Sequence, residues 1–142
     1  MITNERQYQI SKAQIAKFRT AIDAPDANTR ALHPRAQKAL REAVRSQLDD
    51  LLAEVADYEQ LRDGQLTSIT AESIADLAAA LIKARIMRKW TQKELADKLE
   101  VAEQQVQRYE ATQYKGVSVE RLQAVADALR LRVREVITFE LL

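Results

Sequence analysis

The stretch that decides the reading is Trp90-Thr91-Gln92-Lys93-Glu94-Leu95-Ala96-Asp97-Lys98-Leu99-Glu100-Val101-Ala102-Glu103-Gln104-Gln105-Val106-Gln107-Arg108-Tyr109-Glu110. Thr91 and Glu94 have the Thr-x-x-Glu spacing of a capping box, in which each side chain bonds the other residue's backbone N–H and opens a helix. Leu95, Ala96 and Leu99 form the apolar face of that helix. Glu100-Val101-Ala102 then separates it from 103–110, a segment helical in period whose inward residues are only Val106 and Tyr109. The pattern is helix, short turn, and a second helix whose outer face is rich in side-chain amides. Such a face suits the DNA major groove, where glutamine bonds adenine N6 and N7 together and arginine bonds guanine O6 and N7. Base-reading residues belong near the N-terminal end of a helix that a preceding helix braces across the backbone. Gln104, Gln105, Gln107 and Arg108 meet that demand. A polar helix with three glutamines is by itself an ordinary solvated face. The capping box, the three-residue turn and the Tyr109-Glu110 ending together turn the reading toward DNA.

Working outward, Leu66-Thr67-Ser68-Ile69-Thr70 is a cluster of cap-forming residues, and a helix is expected over 71–89 with Ile74, Leu77, Leu81 and Ile82 facing inward. Gly116 breaks the chain beyond Glu110, Ser118 caps, and a last helix over 119–129 uses Leu122, Val125, Ala126 and Leu129. Trp90 and Tyr109 fall in core phase rather than base-stacking phase. From 132 to 142 the period changes, because Val133, Glu135, Ile137, Phe139 and Leu141 alternate with Arg134, Val136, Thr138 and Glu140. That alternation is closer to a strand than a helix. A lone strand in a helical chain is expected to pair with its twin across a two-fold axis or to pack on another protein.

Residues 1–67 read differently. Ser11 and Gln14 have capping-box spacing and Ile10 and Ile15 staple spacing, so the first helix is expected to begin at Ser11, with Tyr8, Ile15, Phe18 and Ile22 on one stripe. Residues 23–33 read as a loop in which His33 has no assigned role, and Pro34 is placed to open a second helix running to about Asp63. Val44, Leu48, Leu51, Val55 and Tyr58 alternate steps of four and three, the a/d pattern of a coiled coil. So narrow a stripe needs a partner helix. The simplest solutions are an antiparallel hairpin within the chain or the pairing of two chains, and a hairpin combined with dimerisation is the one expected. This arm carries 10 basic and 10 acidic side chains and no evident chemistry.

Composition bounds the alternatives. The 142 residues contain only 2 glycines and 2 prolines, which excludes turn-dense β and low-complexity readings and leaves a helical protein. The absence of cysteine and the single histidine exclude disulfides, Cys-ligated metals, thiol nucleophiles and histidine clusters. Carboxylate neighbours such as Asp49-Asp50 diverge on a helix and read as a solvated face. No phosphate-cradling glycine loop and no nucleophile–base pair is present, so the expectation is no enzyme, no metal and no cofactor. The longest apolar run has six residues, 77–82, against the roughly 20 that span a bilayer, and the start Met1-Ile2-Thr3-Asn4-Glu5 is unlike a secretion signal. A cytoplasmic protein without a membrane partner is expected. The net charge of +1 decides nothing by itself.

Residues 86–131, about a third of the chain, resemble the helix-turn-helix domain of the lambda-repressor-like, Cro/cI-type (XRE) regulators. The resemblance is carried by the run from Trp90 to Leu99, by Val101, Val106 and Tyr109-Glu110, and by Val119-Glu120-Arg121-Leu122 and Ala126-Asp127-Ala128-Leu129. It implies that Gln104 is the principal base reader, with Glu103, Gln107 and Arg108 contributing. It also implies phosphate contacts from Gln92, Lys93, Thr112, Gln113 and Lys115, and an ion pair between Arg85 and Glu110 that ties the first helix to the end of the reading helix. Two positions depart from the family. Glu100 stands where a glycine is usual, so it either turns left-handed or the turn differs, and Glu103 places a negative charge facing DNA. Residues 83–115 carry 8 basic and 5 acidic side chains, a modest surplus that favours a dimer doubling the contacts.

The expected architecture is all-α: a hairpin arm over 1–67, a five-helix lambda-repressor-like domain over 68–131, and a strand-like tail over 132–142. The expected function is sequence-specific binding of a palindromic operator in double-stranded DNA by a homodimeric autorepressor. The small size with an added arm also resembles HigA-type antitoxins, which repress their operon and neutralise a toxin, and a protein partner of another kind fits equally. The alternative from a different class is an interaction module acting through the coiled-coil arm, with the helix-turn-helix repurposed.

Overall fold

A computed structural model describes all residues, 1–142. The protein is all-α, with seven helices and no strand, and it divides into two compact units, Met1–Leu66 and Thr67–Leu142.

The first unit is an antiparallel hairpin of α1 (Glu5–Asp23) and α3 (Pro34–Asp63), joined through a one-turn α2 (Ala27–Arg30). Pro34 opens α3 at its first position, where the missing N–H costs nothing, and the His33 ring accepts a bond from the Arg35 N–H. Gly64 ends it: a Cβ there would meet the Gln60 carbonyl oxygen at 2.2 Å. Tyr8 and Ile15 on α1 meet Leu48, Val55 and Tyr58 on α3, the stripe read from the sequence, with Phe18, Ile22, Val44 and Leu51 half-buried along it. At the open end the Tyr8 hydroxyl donates to Glu59 at 2.5 Å, and the Arg62 guanidinium lies 4.7 Å from the Tyr8 ring and 5.5 Å from that of Tyr58.

Two expectations for this unit are corrected. Helix α1 starts at Glu5, not Ser11: Asn4 accepts from the Gln7 N–H at 2.9 Å, and the Gln7 side chain accepts from the Thr3 N–H at 2.8 Å. The same i, i+3 cap spacing occurs one heptad earlier, and that start keeps Tyr8 helical against Tyr58, 5.2 Å between ring centroids. Ile10 is exposed and staples nothing, while Ile2 is buried. The supposed loop over 23–33 contains α2, which Asp26 caps by accepting from Thr29 N–H at 2.7 Å.

The second unit contains α4 (Ile74–Met87), α5 (Gln92–Leu99), α6 (Glu103–Ala111) and α7 (Val119–Ala128). Helix α5 packs on α6 and α7, and α4 on α7. Leu81, Ile82, Leu95, Val106, Val125 and Leu129 are the fully buried centre, one or two from each helix and its cap. Helix α4 begins later than expected, because Ser73 and not the 66–70 cluster caps it by accepting from the Asp76 N–H; Ile74, expected inside, is 88% exposed. As the first residue of the helix it lies one turn before the core begins. The unit has four helices rather than five. Beyond Leu131, whose N–H closes on the Ala126 carbonyl, residues 132–142 form neither helix nor strand. The strand-like pattern there has no partner within the chain to turn it into a ladder.

Candidate nucleic-acid interface

The site is built on α5, the turn after it, and α6. The capping box forms as its spacing predicts: Thr91 Oγ1 accepts from the Glu94 N–H at 3.1 Å, and the Glu94 carboxylate accepts from the Thr91 N–H at 2.6 Å. Glu100 takes the left-handed conformation, φ 57° and ψ 40°, at a cost of about 1 kcal/mol for a side chain that is not glycine. The Val101 N–H then closes back on the Ala96 carbonyl at 3.0 Å, and α6 starts two residues later. The three-residue turn is the one the sequence spaces.

Helix α6 shows two faces. Val106 and Glu110 are buried and Tyr109 half-buried, whereas Glu103, Gln104, Gln107 and Arg108 are exposed. Four of the five expected base readers therefore share the solvent face, and Gln105 lies half-buried at its flank. The Gln107 amide donates to Glu103 at 3.5 Å along the helix. No side chain caps the first turn of α6, since its N-cap is Ala102.

Beneath that face is a buried polar cluster. Arg85 on α4 donates to both Glu110 carboxylate oxygens, from Nε at 2.6 Å and Nη2 at 2.9 Å, and from Nη1 to the Trp90 carbonyl at 2.7 Å. The two side chains are 3% and 1% exposed, so this bidentate pair is fully desolvated. The expected tie between the first helix and the end of the reading helix is thus present, and it also fixes the α4–α5 corner through Trp90. Gln92 joins the same cluster, donating from Nε2 to Glu110 at 2.8 Å, and is buried. Its amide thereby braces the site, an arrangement that the expected phosphate role did not include.

The other expected phosphate contacts lie around the two helix ends. Lys93 is exposed and paired with Asp97 at 3.3 Å one turn along α5. Thr112, Gln113 and Lys115 follow α6 and are exposed, with the Thr112 hydroxyl donating back to the Arg108 carbonyl at 3.1 Å. Gln113, Tyr114 and Gly116 all have positive φ, so the chain after α6 is a tight left-handed coil. Tyr114, which the sequence reading passed over, holds it. Its ring stacks on Tyr109 with centroids 5.6 Å apart, its side chain is buried, and its hydroxyl has no hydrogen-bond partner. Burial pushes that phenol above its usual range. Only its being the sole large apolar residue in 112–116 hinted at this. Arg88 was missed as well. It donates to the Leu129 carbonyl and, at 3.2 Å, to that of Arg130, binding the end of α4 to the end of α7.

No cluster of histidine, cysteine or carboxylate groups is arranged to hold a metal ion, and no helix is long and apolar enough to cross a membrane. Residues 81–136 match the family model described as Helix-turn-helix. No curated protein and no solved structure gives a significant match to the chain. With its capped bracing helix, three-residue turn and amide-faced second helix, the segment 81–136 is a DNA-binding helix-turn-helix domain of the Cro/cI type.

Proposed function

We propose that this transcription regulator reads a specific double-stranded DNA sequence through α6, as a dimer on a palindromic operator, and represses its own promoter. The observation that carries the reading is the pairing of two features on one helix. Gln104, Gln107 and Arg108 stand exposed on one side, while Glu110 on the other is locked to Arg85 and Gln92. Rigid bracing of a short helix by a fully buried ion pair suits a surface that must present hydrogen-bond donors at fixed spacing to base edges. Gln104 is the principal reader, and Glu103 either accepts from a cytosine N4 amine or repels phosphate and lowers non-specific binding. Lys93, Gln113 and Lys115 hold flanking phosphates. The surplus of only three positive charges over 83–115 makes one copy a weak binder, which favours two. Repression is the simplest action of a bound dimer, because occupying a promoter is enough to block it.

The hairpin of Met1–Leu66 is a separate compact unit with balanced charge, and its role in this reading is to engage a protein partner, such as the toxin of a toxin–antitoxin pair. If that hairpin were instead the whole function, DNA would not be bound specifically. The test is titration of the chain on fragments from upstream of its own reading frame, at two salt concentrations with unrelated DNA as competitor. Binding that survives competitor and weakens with salt is expected. Equal, weak binding to every fragment would overturn the reading.

A further inference from the structure

Residues 132–142 are the least satisfied part of the molecule. Val136, Ile137, Phe139, Leu141 and Leu142 are each more than 80% exposed, and no backbone hydrogen bond reaches any residue beyond Leu131. Elsewhere an exposed large apolar residue stands singly, as Ile74 and Val119 do at helix starts. Five within seven positions is a different situation. Such a segment presents unpaired N–H and C=O groups and an apolar row, which together form a template for another strand.

We propose that this tail is an intermolecular strand whose partner is the same tail of a second copy, paired antiparallel about a two-fold axis at Ile137. The sequence favours that occupant. In an antiparallel pair centred on Ile137, residues equally far before and after it stand opposite one another. On one face Arg134 stands against the partner's Glu140, and Val136 against the partner's Thr138. On the other, Ile137 meets the partner's Ile137 and Val133 meets the partner's Leu141. The two-fold repeats each pair, so both Arg134–Glu140 contacts join opposite charges, which opposed strands prefer. A two-fold passing between residues would set the apolar face of one strand against the mixed face of the other. Chain length permits the arrangement. The six residues from Leu131 to Ile137 reach at most about 20 Å, which leaves the two copies free to meet successive major grooves roughly 34 Å apart. The inference deepens the dimer invoked above, but its test needs no DNA.

The chain contains no cysteine, so single cysteines report proximity cleanly. Residues directly opposed in an antiparallel pair fall within disulfide range, whereas Phe139 lies four positions out of register with its own twin. Under mild oxidation of the full-length protein without DNA, most of the Ile137→Cys chain should migrate at twice its mass. Phe139→Cys alone should stay single, and Glu135→Cys combined with Phe139→Cys should again cross-link. Arg134→Glu should lower the dimer fraction seen by light scattering, and adding Glu140→Arg should restore it. Equal cross-linking at every position, no cross-linking at Ile137→Cys, or an unchanged mass after removal of residues 136–142 would each overturn the proposal. The last two would point to a different protein as the partner of the tail, or to dimerisation elsewhere. Loss of sequence-specific DNA binding with the cross-linking pattern intact would count against the DNA reading alone.

Discussion

The buried phenol of Tyr114 and the buried pair of Arg85 and Glu110 show opposite uses of a polar group in a small core. The Tyr114 hydroxyl is sequestered without a partner, so its burial costs free energy and returns none. Tyr114→Phe is therefore expected to leave stability unchanged or to raise it by about 1 kcal/mol, as read from a denaturant midpoint. The pH dependence has a definite sign. The folded phenol titrates above the ordinary value of 10.0, so above about pH 10 the unfolded chain loses a proton that the folded one keeps, and stability falls. The Phe variant should lose part of that alkaline decline, and an identical decline in both proteins would contradict the assignment. Arg85 and Glu110 are the reverse case. Removing one partner by Arg85→Ala leaves a buried carboxylate without its counter-charge, held only by the Gln92 amide, at an expected cost of about 3–5 kcal/mol, enough to unfold the domain under mild denaturant. Arg85→Met with Glu110→Leu should cost less than either single change, a non-additivity that a double-mutant cycle measures. The pair itself was legible from family resemblance. The place of Gln92 within it was not, because nothing in a sequence says which way a helix-start amide turns.

Among the elements, caps decide where helices begin, and they were read with uneven success for a physical reason. Thr91 with Glu94 and Ser118 before α7 stand at sharp changes from turn to apolar period, and both cap as expected, Ser118 accepting from the Arg121 N–H at 3.2 Å. Asn4 and Ser73 were passed over for Ser11 and for the 66–70 cluster. In each of those regions two cap-competent positions compete, and only tertiary packing chooses between them: Tyr8 against Tyr58 in one case, and a core that starts at Leu77 and Ala78 in the other. Thr91→Ala is expected to destabilise the second unit by about 1 kcal/mol in thermal or chemical unfolding. The turn after α5 gives a change of opposite sign. Glu100→Gly removes a left-handed non-glycine residue and should stabilise by up to about 1 kcal/mol, partly offset by the freer unfolded chain. A destabilised glycine variant would mean that the Glu100 side chain makes a contact outweighing its strain.

At the scale of the whole molecule, the all-α class followed from four breakers in 142 residues, and the hairpin from one stripe of apolar residues too narrow to be buried alone. The fifth helix came from the family resemblance alone: the apolar periods over 68–131 mark only four, and four are present. The tail over 132–142 remained ambiguous from sequence because a strand is defined by its partner, and no other segment of the chain pairs with it. The central claim belongs to this scale too: the outward face of α6 selects a DNA sequence. The most direct test compares wild-type protein with a Gln104→Ala, Arg108→Ala double variant, titrated on the specific fragment and on unrelated DNA of equal length and salt. Both side chains are exposed, so the fold should be retained, as circular dichroism would verify. The account predicts a loss on the specific fragment of about 1–3 kcal/mol for each base contact removed, with a smaller, sequence-independent loss elsewhere from the missing arginine charge. Equal affinities of the folded variant and the wild type on every DNA would contradict it.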